Sequence, residues 1–258
     1  MISVDKLDAI YQDFHMHTCF DDGADTPEDM ILSAINKGLK TVGVTLHSVV
    51  DSSIQDYVDL TKEKNFCIDM ARLKEKYKNK INVFCGIEWD LCTLNSVGKY
   101  DYVIGSSHFI KKDGKYFFID RSESEFLRTA REGFNGDFYA FCEKYYSQLV
   151  ELAETIKFDI IGHVDLITKF NQDDKYFDTK HPRYVNAYKK AIDRLLKTGK
   201  PFEINMGAIS RGYRKEPYPS PDILDYIKKN GGKLILSSDS HAKENVAFQY
   251  EKWAHLLG

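Results

Sequence analysis

The chain has 258 residues, 43% of them hydrophobic and 13% aromatic, with a formal charge of −3. That is enough apolar material for a large core, and α/β barrels of this length are commonly one domain, so residues 1–258 are expected to form a single unit. The bulk charge gives no reason to expect nucleic-acid or membrane binding, and no apolar run approaches the length of a transmembrane helix.

In chain order, seven short apolar runs rich in β-formers mark candidate strands: 10–14, 41–46, 81–87, 100–105, 158–161, 201–204 and 233–237. Most are separated by segments of helical periodicity. The first helix is signalled by Thr26 as its cap and Pro27 at its first position. Met30, Ile31, Ala34 and Ile35 form its apolar face, and Gly38 ends it. A long segment from about 55 to 78 carries Phe66, Met70, Leu73 and Tyr77 at helical spacing. Residues 109–120 predict a β-hairpin around Asp113-Gly114, a dipeptide suited to tight turns. The charged stretch 121–137 after it is expected to be a loop, so that 109–137 form an insertion over the barrel mouth, or else a decoration of the fold. Tyr145, Leu149, Leu152, Ala153 and Ile156 make a further apolar stripe, and Tyr184, Tyr188, Ala191, Ile192, Leu195 and Leu196 another, ended by Gly199. Ser220-Pro221 repeats the Thr26-Pro27 signal, with Ile223, Leu224 and Ile227 facing inward and Gly231 as the stop.

Strands alternating with helices indicate a parallel sheet. The expected fold is α/β, a distorted seven-stranded (β/α)7 barrel related to the eight-stranded TIM barrel. An open doubly wound sheet would separate the first strand's residues from the last's. The amino-terminal residues show no basic segment followed by an apolar stretch, so no signal peptide is expected. Five cysteines without a Cys-x-x-Cys spacing (Cys19, Cys67, Cys85, Cys92 and Cys142) point to reduced thiols in a cytoplasm. Cys19 and Cys85 fall near candidate site residues, but the expected role of both is small buried filler.

Six of the eight histidines fall at the carboxyl ends of predicted strands, the face on which barrel enzymes build their sites. His15 and His17 end the first strand, with Asp22 past a turn. His47 follows the second strand, Glu88 the third, His108 the fourth and His163 the fifth, while Asp239 and His241 follow the last. Alternating residues of a strand point the same way, so His15 and His17 aim two imidazoles at one point. Each residue alone has a bland reading, as a loop histidine, an ion-pair partner or a turn residue. Nine on one rim make a hydrolytic metal centre. Imidazole and carboxylate donors suit Zn, Mn or Fe, and nine of them exceed one ion's needs, so two or three divalent ions are expected. His181 and His255 lie elsewhere and keep a structural reading.

These residues carry a resemblance to the polymerase and histidinol phosphatase (PHP) family. The matching motifs are His15-Met16-His17-Thr18 with Asp22-Gly23, Thr45-x-His47, Gly86-x-Glu88, Ser107-His108, Gly162-His163 and Ser238-Asp239-Ser240-His241. The resemblance implies a distorted seven-stranded barrel and a trinuclear site. His15, His17, Glu88 and Asp239 would hold the first ion, Glu88 with His108 and His163 the second, and Asp22, His47 and His241 the third. Less diagnostic stretches, Asp159 to Ile167, Glu203-Ile204-Asn205 and Tyr218-Pro219-Ser220-Pro221, resemble the stand-alone histidinol-phosphate phosphatases, and no room remains for a polymerase module.

The implied reaction is hydrolysis of a phosphate monoester by a metal-activated hydroxide, with L-histidinol phosphate as the expected substrate in histidine biosynthesis. Glu88, Asp239 and His241 are the expected catalytic residues. Arg211 is the expected phosphate clamp and Lys169 the weaker candidate. Asp165 and the 109–120 segment are candidate partners for the substrate's ammonium and imidazole. The expected partner is a small phosphorylated molecule, not nucleic acid or membrane; oligomeric state has no visible signature. The alternatives are a phosphodiesterase or nuclease of the same family, an amidohydrolase, and a metal-dependent binding protein without turnover.

Overall fold

The computed structural model describes residues 6–51, 54, 58–94 and 98–258. The readings placed on the first five residues and on the start of the long helical segment near Gln55 lie outside the described residues. The elements run α1 (Lys6–Ala9), β1 (Gln12–Asp13), α2 (Pro27–Asn36), β2 (Thr41–His47), α3 (Leu60–Tyr77), β3 (Asn82–Trp89), β4 (Tyr102–Gly105), β5 (Phe109–Lys112), β6 (Lys115–Phe118), α4 (Glu123–Arg128), α5 (Phe138–Thr155), β7 (Ile160–Ile161), α6 (Pro182–Leu196), β8 (Phe202–Asn205), α7 (Gly207–Ser210), α8 (Pro221–Lys229), β9 (Leu234–Ser237) and α9 (Tyr250–Trp253).

Seven strands pair in the order β1-β2-β3-β4-β7-β8-β9, every pairing parallel. Past the ends of β1 and β9 a parallel bridge joins Met16 to Ser240, and the His17 amide donates to the Ser240 carbonyl at 2.8 Å. This bridge closes the sheet into the expected barrel. The described residues between β3 and β4 contain no helix, so the β/α rhythm is broken there.

Side-chain parity builds the layers. On β2, Val42, Val44 and Leu46 join an outer core with Met30, Ile31 and Ala34 of α2 and Phe66, Met70 and Leu73 of α3. The intervening Gly43, Thr45 and His47 therefore face the barrel axis. The lumen is filled by Phe14, Tyr102, Ile104, Ile160 and Ile235. The Tyr102 hydroxyl donates to the Phe14 carbonyl at 2.6 Å and sits 3.0 Å from Thr45 Oγ1. A Cβ on Gly86 would overlap the Tyr102 ring, so β3 must be bare at that point. On the other side, α5, α6 and α8 cover β7, β8 and β9 through Tyr145, Leu149, Tyr184, Ile192, Leu195, Ile223 and Ile227.

The α2 cap forms as expected: the Thr26 hydroxyl accepts from Asp29 N at 3.2 Å, and the Asp29 carboxylate accepts from Thr26 N at 3.3 Å. Gly38 and Gly231 end their helices with φ of 77° and 75°, which a side chain would oppose. At α8 the expectation fails. Ser220 makes no cap bond, because its hydroxyl donates instead to Asp165 Oδ2 at 2.9 Å. The hairpin forms around Asp113-Gly114, but the stretch after it is not a loop. Ser122 caps α4, a π-turn follows over Thr129–Gly133, and Phe126 and Ala130 are buried in the main core. Those apolar residues, spaced four apart, gave the segment a helical face that its many charges masked. Cys19 also departs from expectation, since it is exposed in a turn rather than buried filler; Cys85 is buried. Among the described residues no helix is long and apolar enough to cross a membrane.

Candidate metal centre

Parity brings the donors together at the carboxyl rim. His47, the last residue of β2, and Glu88, the last but one of β3, are register partners, so both stand one step above Thr45 and Gly86 on the lumen side. These two belong to the strands themselves rather than to the turns after them. All nine side chains singled out in the sequence converge, and donor atoms fall into four sets in which every atom lies within 4.8 Å of the others. The sets are His17, Asp22, His47 and His241; His15, Glu88 and His163; His15, His17 and Asp239; and His47, Glu88 and His108.

Glu88 is the hub. Its Oε2 has His15 Nε2 at 3.3 Å, His17 Nε2 at 3.3 Å and His47 Nδ1 at 3.1 Å, while Oε1 has His163 Nε2 at 2.9 Å and His108 Nε2 at 3.4 Å. Despite that crowding, Oε2 is buried with no nitrogen at a hydrogen-bonding angle. His15 Nδ1 lies 2.7 Å from Glu203 Oε1, and His17 Nδ1 lies 2.7 Å from Asp21 Oδ2. A carboxylate can only accept, so each Nδ1 carries its hydrogen and the neutral tautomer leaves the lone pair on Nε2. The two Nε2 atoms nevertheless face each other at 3.1 Å. Two lone pairs at that separation repel unless a cation or a proton lies with them. A set of imidazole and carboxylate donors, buried at His15, His17, Glu88 and His163 and more open at Asp22 and His241, fits divalent ions.

The electrostatics agree. Burial opposes charge on His15, but Glu203, Glu88 and Asp239 outweigh it and hold its pKa well above the ordinary value. Burial is likewise overcome at His17, where Asp21 raises the pKa to about 10. Glu88 is held well below the carboxylate range although burial opposes this, because His108, His15 and His47 surround it. Asp239 is lowered against burial by Arg211 and His15. At His108 and His241 burial dominates instead, pulling His108 down to about 4 and lowering His241 with help from Arg211. A field that keeps protons on imidazole nitrogens attracts any cation placed there.

Above the cluster opens a cavity of about 420 Å³, lined by Asp22, His47, Glu88, His108, His163, Asp239 and His241, and by Phe109, Phe118, Asp120, Arg121, Lys169, Arg211 and Tyr213 among others. Arg211 is no solvated surface charge. Its guanidinium donates to the Asp239 carbonyl at 3.1 Å and to Asp239 Oδ2 at 3.3 Å, and lies 2.6 Å from His241 Nδ1. Gly207, at the start of α7, has no space for a Cβ against Asp239 and Arg211. The side chain of Lys169 is only 10% exposed, with Nζ donating to the Asp120 carbonyl at 2.7 Å. Asp165 does not reach the cavity: its Oδ2 accepts from the Ser220 amide and hydroxyl, both at 2.9 Å, and lies 3.5 Å from Arg214. His181 stacks on Tyr139 with ring centroids 3.9 Å apart, and His255 is exposed.

Asp21, Glu203 and Asp90 were given no site role from the sequence, although Glu203 lies in a stretch that carries the family resemblance. Asp21 also accepts from the amides of Thr18 and His47, at 2.9 Å each. Glu203 accepts from the His163 amide at 3.1 Å and Ser237 Oγ at 2.9 Å, and Asp90 from the His108 amide at 2.7 Å. A carboxylate inside an otherwise apolar strand, as at Glu203, was the available signal.

Seven parallel strands closed on themselves, with inward donors gathered at their carboxyl ends, define a barrel protein with a candidate metal centre at its mouth. Residues 13–207 match the PHP domain family, and the chain belongs to that family. It is 28% identical over 242 residues to the "Probable histidinol-phosphatase" of Schizosaccharomyces pombe, covering 86% of this chain and 77% of that one. It is 23% identical over 261 residues to the histidinol-phosphatase of Bacillus subtilis, covering 93% and 97%. The fold is similar to that of the histidinol phosphate phosphatase from Lactococcus lactis, solved in complex with zinc, L-histidinol and phosphate. The TM-score there is 0.68 at 20% identity, over 96% of this chain and 92% of that one.

Proposed function

We propose that this chain is a metal-dependent phosphatase that hydrolyses L-histidinol phosphate to L-histidinol and phosphate. The observation that carries the reading is the convergence on Glu88 of imidazole nitrogens from five histidines, two of them with Nε2 atoms only 3.1 Å apart. The names of the relatives and the ligands of the Lactococcus lactis protein support the substrate. The proposed division of donors is His15, His17, Glu88 and Asp239 for one ion, Glu88, His108 and His163 for a second, and Asp22, His47 and His241 for a third.

Divalent ions there would supply an activated water near neutral pH and positive charge for the phosphoryl oxygens. The chain's own residues do the rest. Glu203 and Asp21 fix the orientation of His15 and His17 through their Nδ1 hydrogens. Arg211, braced on Asp239 and His241, presents a fixed cation at the rim for a phosphate oxygen. Asp239 and His241 are the groups placed to move a proton, secondary to their role as donors.

The test is phosphate release by metal-reconstituted protein from L-histidinol phosphate, run beside a nucleotide diester and an amide panel, before and after exhaustive chelation. Turnover of the histidinol ester that is lost with the metal and restored by Zn, Mn or Fe is expected. Hydrolysis of only the diester or the amides, or full activity after chelation, would overturn the reading.

A further inference from the structure

Cys67 on α3 and Cys85 on β3 are two thiols that the fold brings together. Contacts on either side of them fix the approach. One turn before Cys67, Glu63 accepts from the Tyr100 hydroxyl at 2.6 Å and from the Gly98 amide at 3.3 Å. Two turns after it, Lys74 is paired with Asp101, and Asp101 Oδ2 accepts from the Cys85 amide at 2.6 Å. Residues 63, 67 and 74 share one face of the helix, so Cys67 stands between these two ties, over Cys85. Cys85 itself points outward from the barrel, into the core with Phe66, Met70 and Leu73, against which Cys67 and Tyr100 also pack. The two thiols hydrogen-bond to each other, and the Cys67 sulfur also accepts from the Lys99 amide, with the Tyr100 hydroxyl beside it.

The pair is asymmetric. Cys85 is 4% exposed, whereas Cys67 is partly open to solvent. The bond from Cys85 and that from Lys99 hold the Cys67 thiol below its ordinary pKa, against burial and the Glu63 carboxylate. The other four thiols are pushed up, Cys85 by its bond to Cys67 and by burial, and Cys19, Cys92 and Cys142 chiefly by burial. A reachable thiolate touching a buried thiol is the arrangement of an attacking and a resolving cysteine. We propose that Cys67 and Cys85 form an oxidative modification site, in which a hydroperoxide reacts at Cys67 and Cys85 then closes a disulfide between α3 and β3. In the first step the Cys67 sulfur bonds to one peroxide oxygen as the O–O bond breaks. Cys67 becomes a sulfenic acid, and the other oxygen leaves, protonated, as water or an alcohol. The Cys85 sulfur then attacks the Cys67 sulfur, the S–O bond breaks, and hydroxide leaves with the Cys85 proton as water. The two thiols are oxidised together by two electrons, and the peroxide is reduced by the same two. Neither thiol lines the cavity above the metal donors, so this chemistry is independent of the phosphatase reading.

The experiment treats the folded wild-type chain with one equivalent of hydrogen peroxide, counts thiols after denaturation and maps the peptides by mass spectrometry. The thiol count is expected to fall from five to three. The peptides carrying Cys67 and Cys85 should appear joined, with the loss of two hydrogens, and separate again under dithiothreitol. In Cys85→Ser the reaction should stop at a sulfenic acid on Cys67, trapped as its dimedone adduct. In Cys67→Ser the four remaining thiols should survive the same treatment. Joining of a different pair, oxidation of the exposed Cys19 ahead of Cys67, or a dimedone adduct on Cys85 would overturn the assignment. So would survival of all five thiols in excess peroxide. The wild-type map decides by itself should either variant fail to fold.

Discussion

His15 and Glu203, 188 residues apart in the chain, meet at 2.7 Å between Nδ1 and Oε1, in full burial. Glu203 thereby settles which nitrogen of His15 is free to face the cluster. Outer partners of this kind are worth about 10- to 100-fold in metal affinity or activity. Glu203→Gln keeps the size but can offer its amide hydrogen to Nδ1, which would move the lone pair to the wrong side. A loss of affinity or activity in that range is expected, read by competition with a chromophoric chelator. An unchanged affinity would show that His15 is oriented by packing alone.

Glu88→Gln should be more severe. It removes the charge common to five imidazoles and points an amide at nitrogens that have none to spare. Bound metal per chain, measured by atomic absorption, should fall, and turnover should drop by about two orders of magnitude or more, as for a lost charge-stabilising contact in a buried site. The far-ultraviolet dichroism should be retained. Full metal content with full activity would remove Glu88 from the proposed site.

Arg211 makes planar, multi-point contacts with Asp239 and His241 that an ammonium cannot reproduce. In Arg211→Lys, competitive inhibition by inorganic phosphate should weaken about 10-fold or more, consistent with one charge-assisted hydrogen bond. Inhibition constants from steady-state kinetics test this. An unaltered constant would leave Arg211 as a brace for Asp239 and nothing else.

The lumen yields a prediction about stability. A Cβ at Gly86 would overlap the ring of Tyr102, and overpacking of a filled core costs about 1–3 kcal/mol. Gly86→Ala should be destabilised by that amount in urea unfolding of the metal-free protein. Adding Tyr102→Leu should recover part of the loss, because the leucine leaves the space the new methyl needs. Additive costs in the double variant would place the strain elsewhere.

The linear order of residues determined the strands, the helical stripes at α2, α3, α5, α6 and α8, and the types of donor at the strand ends. These are local properties: period-two and period-3.6 patterns, proline and glycine punctuation, and a histidine or carboxylate ending a run of apolar residues. Charge hid α4, since Phe126 and Ala130 were too few to stand out among Glu123, Glu125, Arg128 and Arg131. Ser220 looked like a cap, but Asp165, brought close only by the fold, took its hydroxyl.

Tertiary structure alone decided the long-range choices. Of the adjacent pair Asp21 and Asp22, one orients His17 and the other faces His47 and His241, a distinction set by the turn between Thr18 and Gly23. Asp165 turned away to Arg214 while Asp120 came to the cavity. No spacing rule reaches from His15 to Glu203, because closing the barrel through Met16 and Ser240 is what makes residues from opposite ends of the chain neighbours.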